Sequence, residues 1–362
     1  MSNGHVFVAM SGGVDSSVAA VLLQQAGYQL SGVNLRMFHN EDLGESPSRT
    51  CCSLSDAEDA ALVARRLGFP FYVFDFAQTF RDTVIRNFIE EYQQGRTPNP
   101  CAECNRSVKF GALLQRVRTL GGDYMATGHY ARVERDETSG RYLLKRGKDR
   151  SKDQSYFLYM LTQEELAHTL FPLGGMEKSE VRQIAKAHGL VNAKKRDSQD
   201  ICFVPDGDYC AFMERFTGKR YAPGDYLDPQ GQVVGRHQGA VRYTIGQRKG
   251  LGLAMGSPVY VCAKDMAANT VTVGPDSALY SGALRANDWN WFPFPELTAP
   301  LAVTARIRHS QKSYPAVVYP EAEGSARVEF DAPVRAVTPG QAVVLYQGDL
   351  VVGGGTITEA IR

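Results

Sequence analysis

Ser11-Gly12-Gly13-Val14-Asp15-Ser16-Ser17 is the stretch that decides the fold of this 362-residue chain. It follows the short apolar run Val6 to Met10 and leads into Val18, Ala19, Val21, Leu22, Leu23 and Ala26, whose spacing predicts a helix ending at Gly27. The run before it suits a buried strand, so the loop joins a strand end to a helix entrance. There the first backbone N–H groups lack intrahelical partners and the dipole presents roughly half a positive charge, which stabilises an oxyanion without a lysine. Gly12 and Gly13 let the backbone approach phosphate oxygens, and Ser11, Ser16 and Ser17 offer hydroxyl donors. Asp15 is suited to orient the loop or to hold a magnesium ion. Glycine with serine at a helix start is also ordinary N-cap chemistry, so the string alone leaves both readings open. No GxxxxGK[ST] string occurs, which argues against a Walker-type kinase or GTPase.

Downstream, the same alternation of strand and helix continues. Tyr28 to Met37 reads as a second strand, and Met37 at its carboxyl end would lie where open α/β sheets bind ligands, in reach of an adenine ring. Ser55 with Glu58 makes a capping box before a helix closed by Gly68, and Phe69 to Phe74 reads as a third strand. Helical patterns over Gln78 to Tyr92 and near Arg106 to Leu120, then a strand from Asp123 to Thr127, complete a doubly wound parallel α/β sheet. Gly128 and His129 follow at the same ligand-binding edge. Ser179 to His188 carries another helix. Past Pro205 helical periodicity fades after Phe216, giving expected divisions at 1–205, 206–275 and 276–362: a catalytic domain, a small β-rich central domain and a C-terminal β-barrel. Within the central part, Gly235 to Leu253 reads as a β-hairpin with a basic tip.

Composition narrows the function classes. Lys plus Arg number 40 against 39 Asp plus Glu, so a nucleic-acid contact needs a local patch; Arg141, Lys145, Arg146, Lys148, Arg150 and Lys152 supply a candidate. A solvated hairpin has the same pattern. No run of 18 apolar residues occurs and the first residues lack a basic, apolar leader, so no membrane contact is expected and the cytoplasm is the expected compartment. The seven cysteines are odd in number and unevenly spread, and they read as thiols. Cys51 and Cys52 read as structural. Cys104, in Asn99-Pro100-Cys101-Ala102-Glu103-Cys104-Asn105, falls just before a predicted helix start, where the dipole favours thiolate. A half zinc site or redox pair at Cys101 and Cys104 is the rival, though no second CxxC or HxxxH partner appears. Cys202 lies far along the chain, in Asp197-Ser198-Gln199-Asp200-Ile201-Cys202-Phe203 behind the basic triplet Lys194-Lys195-Arg196.

Taken together, the SGGVDSS loop, NPCAECN (99–105), ATGHYA (126–131), KDQSYFL (152–158), SQDICF (198–203), YTIGQRKGLG (243–252) and PGQAVVLY (339–346) resemble the tRNA-specific 2-thiouridylases of the MnmA type, a branch of the N-type ATP pyrophosphatases. The resemblance spans nearly the whole chain. It implies that Ala9, Met10, Ser11, Gly12, Gly13, Val14, Asp15, Ser16, Met37 and Gly128 bind ATP, with Mg2+ as its companion. It implies that Asn99, Pro100 and Cys101 meet the target base, and that His129, Lys152, Asp153, Gln154, Arg308, His309 and Gln341 meet the rest of the tRNA. DNA is not expected as a partner. Some members carry Asp where this chain has Cys101, so a general base at that position is not carried over. Cys202 would bear a persulfide from an upstream sulfur-donor protein, and Cys104 would attack it or assist its attack on the base. Two alternatives stay open: Cys101, Cys104 and Cys202 as ligands of an iron–sulfur cluster, and an amidating synthetase acting on a small carboxylate.

Overall fold

In a computed structural model of the chain, residues 3–38, 54–193, 195 and 201–362 are described. The Cys51-Cys52 pair, Lys194 and Arg196 of the basic triplet, and Asp197 to Asp200 of the second cysteine motif lie outside these. Strand β1 (His5–Ala9) alternates side chains across the sheet: Val6 and Val8 enter one apolar core, Phe7 the other. It pairs in parallel with β2 (Gln29–Arg36), which pairs with β3 (Phe71–Asp75), and on its other side with β4 (Tyr124–Ala126). Helices α1 (Val14–Gln25) and α2 (Leu54–Leu67) cover the Val6 face; helical segments α3 (77–93) and α4 (100–119), each with π-helical turns, cover the other. The strand order β3-β2-β1-β4 reverses direction of winding between β1 and β4, which puts the crevice of a doubly wound sheet beside the carboxyl ends of those two strands.

Two β structures follow. A four-stranded central sheet contains β8 (Gly224–Leu227), β9 (Val233–His237), β10 (Tyr260–Asp265) and β11 (Thr270–Gly274). Six antiparallel strands from Tyr280 to Ile361 close into a barrel, β12 (Tyr280–Trp291) pairing with both β15 (Ala326–Arg335) and β17 (Leu350–Ile361). Gly235 to Leu253 is not a hairpin: β9 ends at His237, and among 238–259 no strand forms. Positive φ at Gly239, Gly246, Gly250 and Gly252 keeps turning that backbone, and Arg242 is held by Glu214 at 3.1 Å. Nor does Ser55 cap α2; the helix has already begun at Leu54.

The basic stretch after Arg132 forms a hairpin, β5 (Ala131–Arg135) with β6 (Tyr142–Arg146), that docks on the barrel through β17. Its cations are consumed there. Arg132 and Arg150 grip Asp349, Lys145 pairs with Glu134, Arg141 donates to the carbonyls of Phe292 (2.6 Å) and Trp291 (3.0 Å), and Arg146 lies 3.7 Å over the Tyr346 ring. The patch read as a phosphate track is therefore largely an internal joint. At its centre Asp153 is buried, accepting from the N–H of Gly147 (3.1 Å), the N–H of Ser155 (3.2 Å) and the Ser155 hydroxyl (3.0 Å), with Arg306 of the barrel at 3.7 Å. Replacing one member of a buried charge pair strands the other. Asp153→Ala is expected to lose about 3 kcal/mol of stability in urea unfolding, whereas Lys152→Ala, half-exposed next door, stays within about 0.5 kcal/mol.

Candidate active site

The loop between β1 and α1 is held from behind. Met10 donates its N–H to Val33 O (2.7 Å) and accepts the Asn34 amide (2.8 Å), fixing the strand end. Gly12 has φ +73°, and a Cβ there would collide with the Asp56 carbonyl of α2, so only glycine fits. The buried Asn192 amide donates to the Gly12 carbonyl (3.0 Å), the Gly13 carbonyl (3.2 Å) and the Ser17 hydroxyl (2.8 Å). With the carbonyls drawn inward, the free N–H groups at the entrance of α1 are left for an anion. Ser17, expected as a phosphate donor, is fully buried and gives its hydrogen to Gly13 O (3.1 Å) instead. Ser16 Oγ accepts from Ser11 N at 3.3 Å and bonds to Gly13 O at 3.2 Å, while Ser11 itself is exposed.

Asp15 is committed to the protein. Lys178, at the start of α6 (Lys178–Ala187; α5 being Gln163–Ala167), donates to both carboxylate oxygens at 2.7 and 2.8 Å, and the Tyr130 hydroxyl donates at 2.9 Å. That engagement suits the orienting role and leaves Asp15 ill suited to a magnesium ion. Gly128 follows β4 and lies directly against α1: a Cβ there would stand 2.8 Å from Ser16 N. Lys178 and Asn192 were not legible as site residues, because each acts across more than 160 positions.

The thiols sit on the opposite face. Asn99 caps α4 by accepting from Ala102 N (3.2 Å), and Pro100 occupies its first turn. The helix thus starts several residues before the expected point, which places Cys101, not Cys104, at the dipole's positive end. Cys101 is exposed; Cys104 is buried one turn further in, where the backbone widens into π turns. Cys104 Sγ lies 3.7 Å from Met37 Sδ, so the methionine expected beside adenine touches the first chemical thiol. Ala9, Met37, Ile201 and Cys202 all pack on the same apolar cluster that contains Cys104, and Phe203 is locked in place by Phe80, Phe88 and Phe212 with ring centroids 5.1 to 5.6 Å away. Cys210 and Cys262 are inert by comparison: burial raises the Cys210 thiol to about 11 and pushes Cys262 up as well. Among the described residues no three His, Cys, Asp or Glu side chains converge as a metal-holding group. An exposed Cys101 and a buried Cys104 do not form a shared ligand set for an iron–sulfur cluster.

The remaining expected contacts divide. His129 packs against Phe110 and Phe171, its Nδ1 2.6 Å from Thr127 Oγ1, and desolvation first, with Lys109 second, holds it neutral by driving its pKa well below the usual value. Gln154 accepts the Tyr130 N–H at 3.0 Å. Arg308 bridges barrel and central domain by donating to Ile245 O (3.0 Å) and Thr338 Oγ1 (2.6 Å); His309 is exposed on the face of Phe157, centroids 4.4 Å apart. Gln341 reaches from the barrel to the carbonyls of Thr97 (3.1 Å) and Pro98 (2.9 Å), just ahead of Asn99. Lys152, Cys101 and His309 therefore keep surface to offer a ligand, while Asp153 is buried within the joint.

Residues 4–206 match the family described as the tRNA methyl transferase HUP domain, 210–275 its PRC-barrel domain and 281–357 the aminomethyltransferase beta-barrel domain. A protein named tRNA-specific 2-thiouridylase MnmA from Moorella thermoacetica is 54% identical over 98% of this chain and 99% of its own length; its namesake from Heliobacterium modesticaldum is 53% identical over 98% and 92%. The chain belongs to the tRNA-specific 2-thiouridylase family. Among solved structures, the U34-tRNA thiolase NcsA of Methanococcus maripaludis with its [4Fe-4S] cluster matches 59% of this chain and 66% of its own at 20% identity, with a TM-score of 0.35.

If Asn192 sets the loop, removing it costs nucleotide affinity. Asn192→Ala is expected to raise the ATP Kd by roughly ten- to a hundredfold, since each buried partner left unpaired costs about 1–3 kcal/mol. Isothermal titration with ATP reads this directly; an unchanged Kd contradicts it.

Proposed function

We propose that this protein catalyses ATP-dependent 2-thiolation of the wobble uridine of tRNA. The observation that carries the reading is the 3.7 Å approach of Cys104 Sγ to Met37 Sδ, which supports a thiol beside the residue expected to meet adenine. The uracil C2 carbonyl is a poor electrophile with no leaving group. Attack of its oxygen on the α-phosphorus of ATP releases pyrophosphate and converts O2 into part of an AMP ester. The loop at 11–16 would bind the phosphates through its N–H groups as charge moves onto the departing pyrophosphate.

Sulfur arrives as a Cys202 persulfide supplied by a donor protein. In one course Cys104 thiolate attacks Cys202 Sγ, the persulfide S–S bond breaks and hydrosulfide leaves; hydrosulfide then adds to C2 and expels AMP. In the other, the terminal persulfide sulfur attacks C2 with loss of AMP, and Cys104 then attacks Cys202 Sγ to free the 2-thiouridine. Both end in one Cys104–Cys202 disulfide and need two electrons per turnover, which suits a reducing compartment such as the cytoplasm. Exposed Cys101 and half-buried Asn99 would meet the base, and Lys152 and His309, which keep exposed surface, would meet the tRNA body.

The test is incubation with unmodified tRNA, ATP, magnesium and a labelled persulfide donor, followed by nucleoside analysis. Cys104→Ser and Cys202→Ser are each expected to lower 2-thiouridine formation by roughly three orders of magnitude or more, with tRNA Kd unchanged. Retained thiolation in either variant refutes the assignment of that thiol.

A further inference from the structure

Residues 147–154 follow β6, turn at an exposed tip made of Arg150 and Ser151, and end in Lys152, Asp153 and Gln154. Both shoulders of that turn are fastened to the same carboxylate, Asp15 in the first turn of α1. On the first shoulder Asp149 is buried. Its Oδ1 accepts the Ser151 N–H (3.0 Å) and hydroxyl (2.7 Å), which shapes the turn, while its Oδ2 accepts the Lys178 N–H at 3.0 Å. That N–H belongs to the first residue of α6 and has no acceptor within the helix, so Asp149 supplies one. Lys178 in turn gives its ammonium to both oxygens of Asp15. On the second shoulder Gln154 brackets Tyr130: its Oε1 accepts the Tyr130 N–H, and its own N–H donates to Tyr130 O, both at 3.0 Å. The Tyr130 hydroxyl then closes the circuit on Asp15 at 2.9 Å.

Asp149, Lys178 and Tyr130 are all buried, so these bonds are made without competition from water. The turn does not need them for its own attachment: Asp153 already ties it to the barrel through Gly147, Ser155 and Arg306. What the two routes add is a connection to the entrance of α1, where the N–H groups offered to an anion lie. We infer that Asp149 and Tyr130 are positioning residues that make ATP and tRNA bind with positive coupling, through Asp15. The inference rests on the proposed contact of Lys152, Asp153 and Gln154 with tRNA. A tRNA clamped on the turn restrains Asp149 and Gln154; Lys178 and Tyr130 then restrain Asp15, and the ordering cost of the nucleotide loop is met before ATP arrives. Linkage makes the effect mutual, so ATP tightens tRNA by the same factor. Chemically this suits a base adenylation, because an α-phosphorus held productively without its base would be open to water.

The experiment titrates the full chain with an ATP analogue whose α–β bridge cannot be cleaved, alone and with saturating unmodified tRNA, by isothermal calorimetry. In the wild type tRNA is expected to lower the analogue Kd at least about fivefold, and the analogue to lower the tRNA Kd equally. Asp149→Ala and Tyr130→Phe are each expected to shrink that ratio, and the double variant to bring it below about twofold. Tyr130→Phe keeps the ring and removes one hydroxyl, so it reads the coupling even where Asp149→Ala folds poorly. A merely structural role would weaken the analogue alike with and without tRNA and leave the ratio intact; that result overturns the inference. So does a wild-type analogue Kd that bound tRNA does not change, which refutes the coupling alone. Failure of the wild type to bind tRNA at all refutes the tRNA reading and the coupling with it.

Discussion

One side-chain amide sets the geometry on which the rest depends. Asn192 draws the carbonyls of Gly12 and Gly13 toward the protein, and the N–H groups at the entrance of α1, which lack intrahelical acceptors, are what the loop offers an anion. The Lys178–Asp15 pair fixes the first turn of that helix, and Gly128 lies against it at Asp15 and Ser16. The loop is thus pre-organised for an anion before any ligand arrives, and the reorganisation cost of binding falls accordingly. Asn192 also stands just ahead of the segment that ends at Cys202, with Lys195 tied to Asp56 and Asp59 of α2 between them. The segment bearing one thiol, Cys202, thus follows these two anchors along the chain.

The other thiol is rooted on the barrel. Thr97 N to Pro339 O and Gln341 to Thr97 and Pro98 clamp the turn that launches α4, and Asn99 then starts the helix within which Cys104 is buried. A macromolecule gripping the barrel acts on the same polypeptide that carries the candidate base contacts. The hairpin β5–β6 stiffens this union through Arg132, Arg141 and Arg146, which explains why so basic a segment leaves little free charge.

What could be read from the sequence was local. The strand, loop and helix around residues 5–25 follow from spacing within one window, because alternation and glycine position act over a few residues. The errors share one cause. Cys104 was placed at a helix start because apolar periodicity begins near Arg106, but Asn99 and Pro100 set the true start by capping and fixed φ. The basic hairpin looked like a phosphate track because its counter-ion, Asp349, is some 200 residues away. Asn192 and Lys178 carry no local signature at all; only the folded sheet brings them to the loop. The resemblance to a family supplied the pairing of Cys104 with Cys202, which no spacing rule could have yielded.

The central claim is that the two thiols work as a pair beside the nucleotide. A single turnover with persulfidated enzyme, tRNA and ATP in the absence of reductant, quenched by alkylation and mapped by peptide mass spectrometry, tests it most directly. The account predicts one Cys104–Cys202 disulfide for each 2-thiouridine formed and no second turnover until reductant is added. Repeated turnovers with both thiols still alkylatable would contradict it.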